Sequence, residues 1–293
     1  MTTLVFGEGL ERVAVRAITP GIYWITHCLG DLAKDYYTHY FASLPNAEAY
    51  SGHRVVDYPF SAFLIRGQRT MLIDTIAPRQ QASLLQALEH ILGEQPLDYI
   101  FISHVELPHA GNTPALQRRY PAARVLAIDE GEQYALHALE NARLVAVGEV
   151  IDLGGYALEI VDALFVDHGL SQWAYERTTG FLFTADWAHN LHEPARGECF
   201  LFLDEMEAQG YSRQLHLDDL KVNAWYQFPW LKWSDTERMT QAIDQLFQTY
   251  DVKILAPSHG NIIRQNVPHY VSLLKEGMKQ AVAMYQEVHG DSQ

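Results

Sequence analysis

Tyr99-Ile100-Phe101-Ile102-Ser103-His104-Val105-Glu106-Leu107-Pro108-His109-Ala110-Gly111-Asn112 is the most informative stretch of the 293-residue chain. Its first four residues form an unbroken apolar run, the pattern of a strand covered on both faces. His104 and Glu106 stand two apart directly after that run, so in extended chain their side chains leave on the same side. His109 follows beyond a turn, where Gly111 and Asn112 tolerate tight backbone. Two imidazoles and a carboxylate at a strand's carboxyl end form a cradle suited to a metal ion. Taken alone, the same residues read equally well as a polar surface loop.

Three later positions repeat the arrangement. His168 follows residues 164–167, Asp186 follows 181–185, and His259 follows 254–258, each preceding run reading as a strand. Sheets with parallel strands gather ligand sites at the carboxyl ends of those strands, so the four segments point to one rim. Each residue singly is an ordinary polar group at a strand end. Four strand ends in agreement favour a site.

The remaining sequence supplies the scaffold. Short β-branched and aromatic runs at 13–15 and 21–25 predict strands, and residues 60–65, 66–69 and 71–73 predict a hairpin turning at Gly67. Apolar residues at 84, 85, 88, 91 and 92 give a helical period over 80–92, with Gly93 placed to end it. A helix at 113–119, a strand at 125–128, a helix near 132–139, and strands near 144–147 and 156–161 follow. In the second half, strands are expected at 180–185 and 252–256. Ser234-Asp235-Thr236-Glu237 has the form of a capping box opening a helix to about 250, and a long amphipathic helix covers 267–288. Strands and helices alternate in two blocks with no Ser/Gly/Pro-rich linker between them. The expectation is α/β architecture, a four-layer αββα sandwich forming one domain over residues 1–293.

Composition narrows the function classes. Apolar residues make up 48% of the chain and charged residues 19%, which excludes an intrinsically disordered chain. The net charge of −15 comes without a basic patch, so neither nucleic acid nor an anionic membrane is an expected partner. Cys28 and Cys199 are too few for a disulfide framework, and no CxxC pair is present. The opening residues do not have the form of a secretion signal, and no segment is apolar for long enough to span a bilayer. These features predict a cytoplasmic protein acting on something small.

The set His104-x-Glu106-x-x-His109-x-Gly111, followed by His168, Asp186 and Ser258-His259-Gly260, resembles the metallo-β-lactamase fold superfamily, most closely the metal domain of flavodiiron proteins. Tyr23-Trp24, residues 58–65, Leu72-Ile73-Asp74-Thr75 and Ala256-Pro257-Ser258-His259-Gly260 resemble further motifs of that group in the same order. The likeness runs from about residue 20 to 280. It implies that His104, Glu106 and His168 hold one metal, His109 and His259 a second, and that Asp186 bridges them. Zinc hydrolases of the superfamily carry His where this chain has Glu106. A carboxylate there makes a harder donor set, favouring two iron ions, with zinc or manganese as alternatives.

Two departures qualify the resemblance. The family pattern has Asp where this chain has Pro108, which offers no side-chain donor and should leave the second metal one ligand short. Pro108 should also push Leu107 towards extended geometry. The flavodoxin-like domain of the family is not evident, nor is a Gly-rich phosphate loop, so no FMN is expected within this chain. Electrons would then come from a separate donor, from an organic substrate or from single-turnover chemistry. The resemblance implies a non-haem di-iron oxidoreductase or oxygenase that binds and activates O2 or NO. The alternatives are a zinc or iron metallohydrolase of an ester, lactone or thioester, and a non-enzymatic O2 sensor. The aromatic runs 36–41 and 225–233 read as core and loop packing more readily than as a pocket lining or a homodimer contact. His27, His39, His189 and His192 are surplus, with supporting or surface roles expected, although His189 is close enough in sequence to Asp186 to compete with His168.

Overall fold

The computed structural model describes residues 2–28, 59–128, 141–167, 171–190, 198–210 and 216–288. His168, His39, His192, the run 36–41 and the helix expected near 132–139 lie outside the described residues.

The first sheet has eight strands lying side by side in chain order. They are β1 (Leu4–Phe6), β2 (Val13–Thr19), β3 (Ile22–Cys28), β4 (Pro59–Arg66), β5 (Thr70–Ile73), β6 (Tyr99–Phe101), β7 (Arg124–Ile128) and β8 (Ala142–Val145). Pairing is antiparallel from β1 to β5 and parallel from β5 to β8. The second sheet has the order β13-β12-β11-β10-β9, built from β9 (Val150–Asp152), β10 (Ala157–Asp162), β11 (Gln172–Glu176), β12 (Phe181–Phe183) and β13 (Ile254–Ala256). Its one parallel pair is β12 with β13.

The period-2 alternation of β4 explains the layers. Phe63 and Ile65 join the core between the sheets, whereas Ala62 and Leu64 pack with the outer helices α1 (Gln81–Leu92) and α3 (Thr113–Arg119). That outer contact is carried by Leu84, Leu88, Ile91 and Leu116. The central core joins Trp24, Phe63 and Phe101 of the first sheet to Trp173, Phe181 and Phe183 of the second. Beyond the second sheet lie α4 (Leu203–Ala208), α5 (Leu217–Gln227), α6 (Thr236–Thr249) and α7 (Val267–Val288). A Cβ on Gly277 of α7 would stand 2.8 Å from Leu220 Cβ, so this glycine permits the close approach of α7 and α5. The four layers of a metallo-β-lactamase fold are thus present. No described helix is long and apolar enough to cross a membrane.

Several local expectations are corrected. Residues 163–167 lie beyond the end of β10 and are irregular, because the chain there leaves the sheet to pack Phe165 against Trp187 and Trp230. α6 is capped by Asp235 rather than by Ser234: the Asp235 carboxylate accepts from the Glu237 and Arg238 amides at 2.9 and 3.2 Å. The Asp235 side chain at the true N-cap takes the free amides that the capping box would have assigned one residue earlier. Segment 225–233 is the end of α5 followed by a 3-10 turn, with Phe228 and Leu231 buried and Trp233 exposed. The strands β1, β9 and β11 and the helices α4 and α5 were not expected from the sequence. β1 and β9 have only three residues each, too few to show a period.

Two cross-links tie β2 and β3 of the first sheet to α4 and the turn before it. Arg16 of β2 is buried and binds Glu205 through both guanidinium nitrogens, at 2.5 and 2.8 Å, while donating to the Phe200 carbonyl at 2.7 Å. The guanidinium groups of Arg16 and Arg264 both lie over the Phe202 ring, 4.2 and 3.9 Å from its centre. The Arg16 contact holds the Glu205 carboxyl below its usual range. Alongside, Cys28 at the end of β3 is disulfide-bonded to Cys199 across a sequence separation of 171. Two cysteines make no framework, but this pair closes a long loop, and the chain-entropy model assigns such a link about 5 kcal/mol. Non-reduced protein should therefore yield a linked Cys28–Cys199 peptide pair by mass spectrometry. Reduction should lower the unfolding free energy by up to that amount, whereas two freely alkylated thiols in non-reduced protein would refute the link.

Candidate metal centre

The site grows from a buried carboxylate at the end of β5. Asp74 takes a positive φ of 56°, which turns the chain out of the strand and aims its side chain across the carboxyl end of β6. It accepts from the Ser103 amide at 2.8 Å, the Ser103 hydroxyl at 2.9 Å and the Ser258 hydroxyl at 3.2 Å. Its Oδ2 also lies 2.7 Å from His109 Nδ1. Thr75 and Asn112 brace the same corner: the Thr75 amide and hydroxyl donate to the His109 carbonyl at 2.7 and 2.9 Å. The Asn112 amide group in turn donates to the carbonyls of residues 75, 76 and 77.

His104 and Glu106 follow β6 in irregular backbone and still meet, with His104 Nε2 at 3.7 Å from Glu106 Oε2. The extended residue is Glu106 (φ −117°, ψ 160°), and Leu107 instead opens one helical turn, α2 (Leu107–Ala110). Pro108 sits in that first turn, where the proline's missing N–H costs no helical hydrogen bond. This corrects the extended Leu107 expected from the sequence.

Asp186 follows β12 between Ala185 (φ 45°) and Ala188 (φ 68°). His259 follows β13, its ring edge-on to Phe60 at 4.7 Å. Gly260 has φ 144°, and a Cβ there would lie 2.4 Å from Asn190 Nδ2, so the turn after His259 requires glycine. Asn190 holds this turn by donating its amide to the His259 carbonyl at 3.1 Å and accepting from the Asn261 amide at 2.8 Å.

The fold thereby brings together five of the six sequence-predicted residues. Asp186 Oδ2 is 3.5 Å from His104 Nε2, while Oδ1 is 3.4 Å from His109 Nε2 and 3.2 Å from His259 Nε2. One donor atom from each of His104, Glu106, His109 and Asp186 falls within 4.8 Å of all the others. Glu106, with 32% of its side chain exposed, forms the solvent side, and the other three are buried. Because Asp74 occupies His109 Nδ1, the His109 lone pair is left on Nε2. That atom and Asp186 Oδ1 are buried and make no hydrogen bond among the described residues. Converging buried nitrogen and oxygen donors without a hydrogen-bond partner fit a cation, and the carboxylate-backed imidazole is the usual support of a metal ligand.

Electrostatics agree. Burial, then the neighbouring Asp167, Glu106 and Asp74, raise the Asp186 carboxyl well above its usual range. Burial lowers His259 well below the imidazole range, with His109 and His189 adding to it, and burial followed by His104 lowers His109. Burial also opposes the charge on His104, but Glu106, Asp167 and Asp74 outweigh it and raise that imidazole. His109 and His259 are held neutral and lose no proton on taking a metal, whereas the raised Asp186 and His104 give theirs up to it.

The surplus histidines His27 and His189 are buried rather than surface groups, and burial lowers them to about 4 and about 3. His27 stacks on Phe60, and His189 lies against His259 with ring centres 5.8 Å apart. Sequence reasoning assigned no role to Asp74, Asp167 or Gln227. The Leu72–Thr75 motif was a usable signal for Asp74, whereas nothing in sequence links Gln227 to residue 167. A small cavity opens beside Asp186, lined by Trp187, Leu220, Gln227, Phe228 and Met278 among others.

Comparison with known proteins places this geometry in a family. The chain is 28% identical to the nitric oxide reductase of Moorella thermoacetica over 257 residues, covering 85% of this chain and 58% of the relative. It is 27% identical to the coenzyme F420H(2) oxidase of Methanothermobacter marburgensis, covering 60% of this chain and 42% of the relative. The chain thus spans less than two thirds of the length of these relatives. The rubredoxin oxygen:oxidoreductase of Desulfovibrio gigas superposes with TM-score 0.64 at 19% identity, covering 93% of this chain and 61% of that one. A flavo di-iron protein variant from Thermotoga maritima gives 0.67 at 18% identity, with 90% and 60% covered. Residues 60–260, well over half of the chain, match the family model described as ODP family beta lactamase, and the chain belongs to that family.

Proposed function

We propose that the chain is a non-haem di-iron oxidoreductase that binds and activates O2 or NO at the His104–Glu106–His109–His168–Asp186–His259 centre. The observation that carries this reading is the division of Asp186: one oxygen faces His104, the other faces His109 and His259. A carboxylate so divided suits a bridge between two ions. Glu106 in the position that zinc hydrolases give to histidine makes the His104 side oxygen-rich, a preference of iron and manganese. The names of the relatives, a nitric oxide reductase and an F420H(2) oxidase, support the same chemistry.

Iron held there would supply redox change and Lewis acidity. The chain's own residues do the rest. Asp74 fixes the ring plane of His109 and keeps its proton on Nδ1. Phe60 and the turn at Gly260 fix His259. Glu106 faces solvent and marks the side from which a small molecule enters. Electrons come from a separate donor.

Elemental analysis of anaerobically purified protein should find iron at about one to two per chain, the second ion held more weakly, and air should produce a new charge-transfer absorption band. Zinc without spectral change would return the protein to the hydrolases. His104→Ala should lose the metal on its side and Asp186→Ala should lose both, and full metal content in either would refute the assignment. Pro108→Asp restores the family's donor beside His109 and should raise the metal-to-protein ratio. An unchanged ratio would show that the second position is already filled.

A further inference from the structure

We propose that Asp167 is an additional oxygen donor to the metal held on the His104–Glu106 side, kept in place by Gln227. The proposal rests on the metal-centre reading above and extends it to a residue outside the six motif positions.

Asp167 is placed by packing rather than by a strand. The Phe165 ring, two residues earlier, stacks on Trp187 and Trp230 at 5.6 and 6.0 Å, and the Trp230 indole donates to the Val166 carbonyl at 2.6 Å. This aromatic stack delivers the Asp167 carboxylate to the Oδ2 side of Asp186. Gln227, the last residue of α5, joins the two carboxylates. Its Nε2 lies 2.6 Å from Asp167 Oδ2 and 3.3 Å from Asp186 Oδ2, the oxygen that faces His104. The Ser171 hydroxyl reaches Asp167 Oδ1 at 3.4 Å.

An amide clamp orients two carboxylates without neutralising either. Glu106, Asp167 and Asp186 therefore gather around His104 with a demand for positive charge that a divalent ion meets. The outcome is an asymmetric pair of positions. The His104 side presents three carboxylates and suits a hard ion such as Mn(II) or Fe(II). The other presents His109, His259 and Asp186 Oδ1, lacks a carboxylate at Pro108, and suits Zn(II) as well.

The test uses Mn(II) and Zn(II) with the full chain and its Asp167→Asn and Gln227→Ala variants, read by chelator competition and by metal content after desalting. Asp167→Asn keeps the shape and should weaken Mn(II) binding at one of two positions by at least about tenfold, leaving Zn(II) at the other unchanged. Gln227→Ala retains both carboxylates and should weaken it less. Unchanged Mn(II) affinity in Asp167→Asn overturns the proposal. Anomalous diffraction from Mn(II)-loaded unsubstituted protein decides the matter even if the variants fail to fold. An Asp167 oxygen at about 2.0–2.4 Å from the ion supports it, and one beyond hydrogen-bonding distance refutes it. Unsubstituted protein that binds neither ion would instead refute the metal-centre reading itself.

Discussion

The buried carboxylate of Asp74 accepts hydrogen bonds from the ends of β6 and β13 while backing His109, and so ties the two sheets together at the rim where the site lies. A buried carboxylate is tolerable only when its oxygens are satisfied, and here every donor comes from a segment that must arrive for the site to exist. Ser103 brings the His104–Glu106 segment, Ser258 brings His259, and His109 arrives on the turn braced by Thr75 and Asn112. The positive φ at Asp74 is the local strain that aims this carboxylate across the sheet ends.

Around that hub the site is unequal on its two sides. The side near Glu106, Asp167 and Asp186 Oδ2 is rich in oxygen and partly open to solvent. The side with His109 and His259 is buried among neutral imidazoles. Their neutrality follows from burial, which disfavours the charged imidazolium. Asp186 belongs to both sides and couples them. The cavity against Asp186 is walled largely by α5 and α7, so helices of the outer layer shape the space next to the centre without contributing any of the six motif residues.

Much of this was legible in the chain. Period-2 runs and the 3.6-residue spacing of α1 placed the main strands and helices, because those patterns follow from which faces must be buried. α3 and α7 appear with the bounds read from the sequence. The site residues His104, Glu106, His109, Asp186 and His259 were legible as donor side chains clustered just beyond apolar runs. Less legible were the short edge strands β1 and β9, and the segment 163–167, whose apolar residues serve an aromatic stack rather than a sheet. The Cys28–Cys199 link could not be read from spacing, since a separation of 171 residues carries no geometric signal.

The sequence by itself determined the chemistry at hand: imidazoles and carboxylates at strand ends, a Glu at 106, and no donor at Pro108. Residue identity sets donor hardness and number, and these do not depend on where the chain goes. Only the tertiary structure decided which oxygen of Asp186 faces which imidazole, that Asp74 backs His109, and that Gln227 hydrogen-bonds both Asp167 and Asp186. Those are distances between segments as many as 184 positions apart, fixed by sheet pairing and core packing.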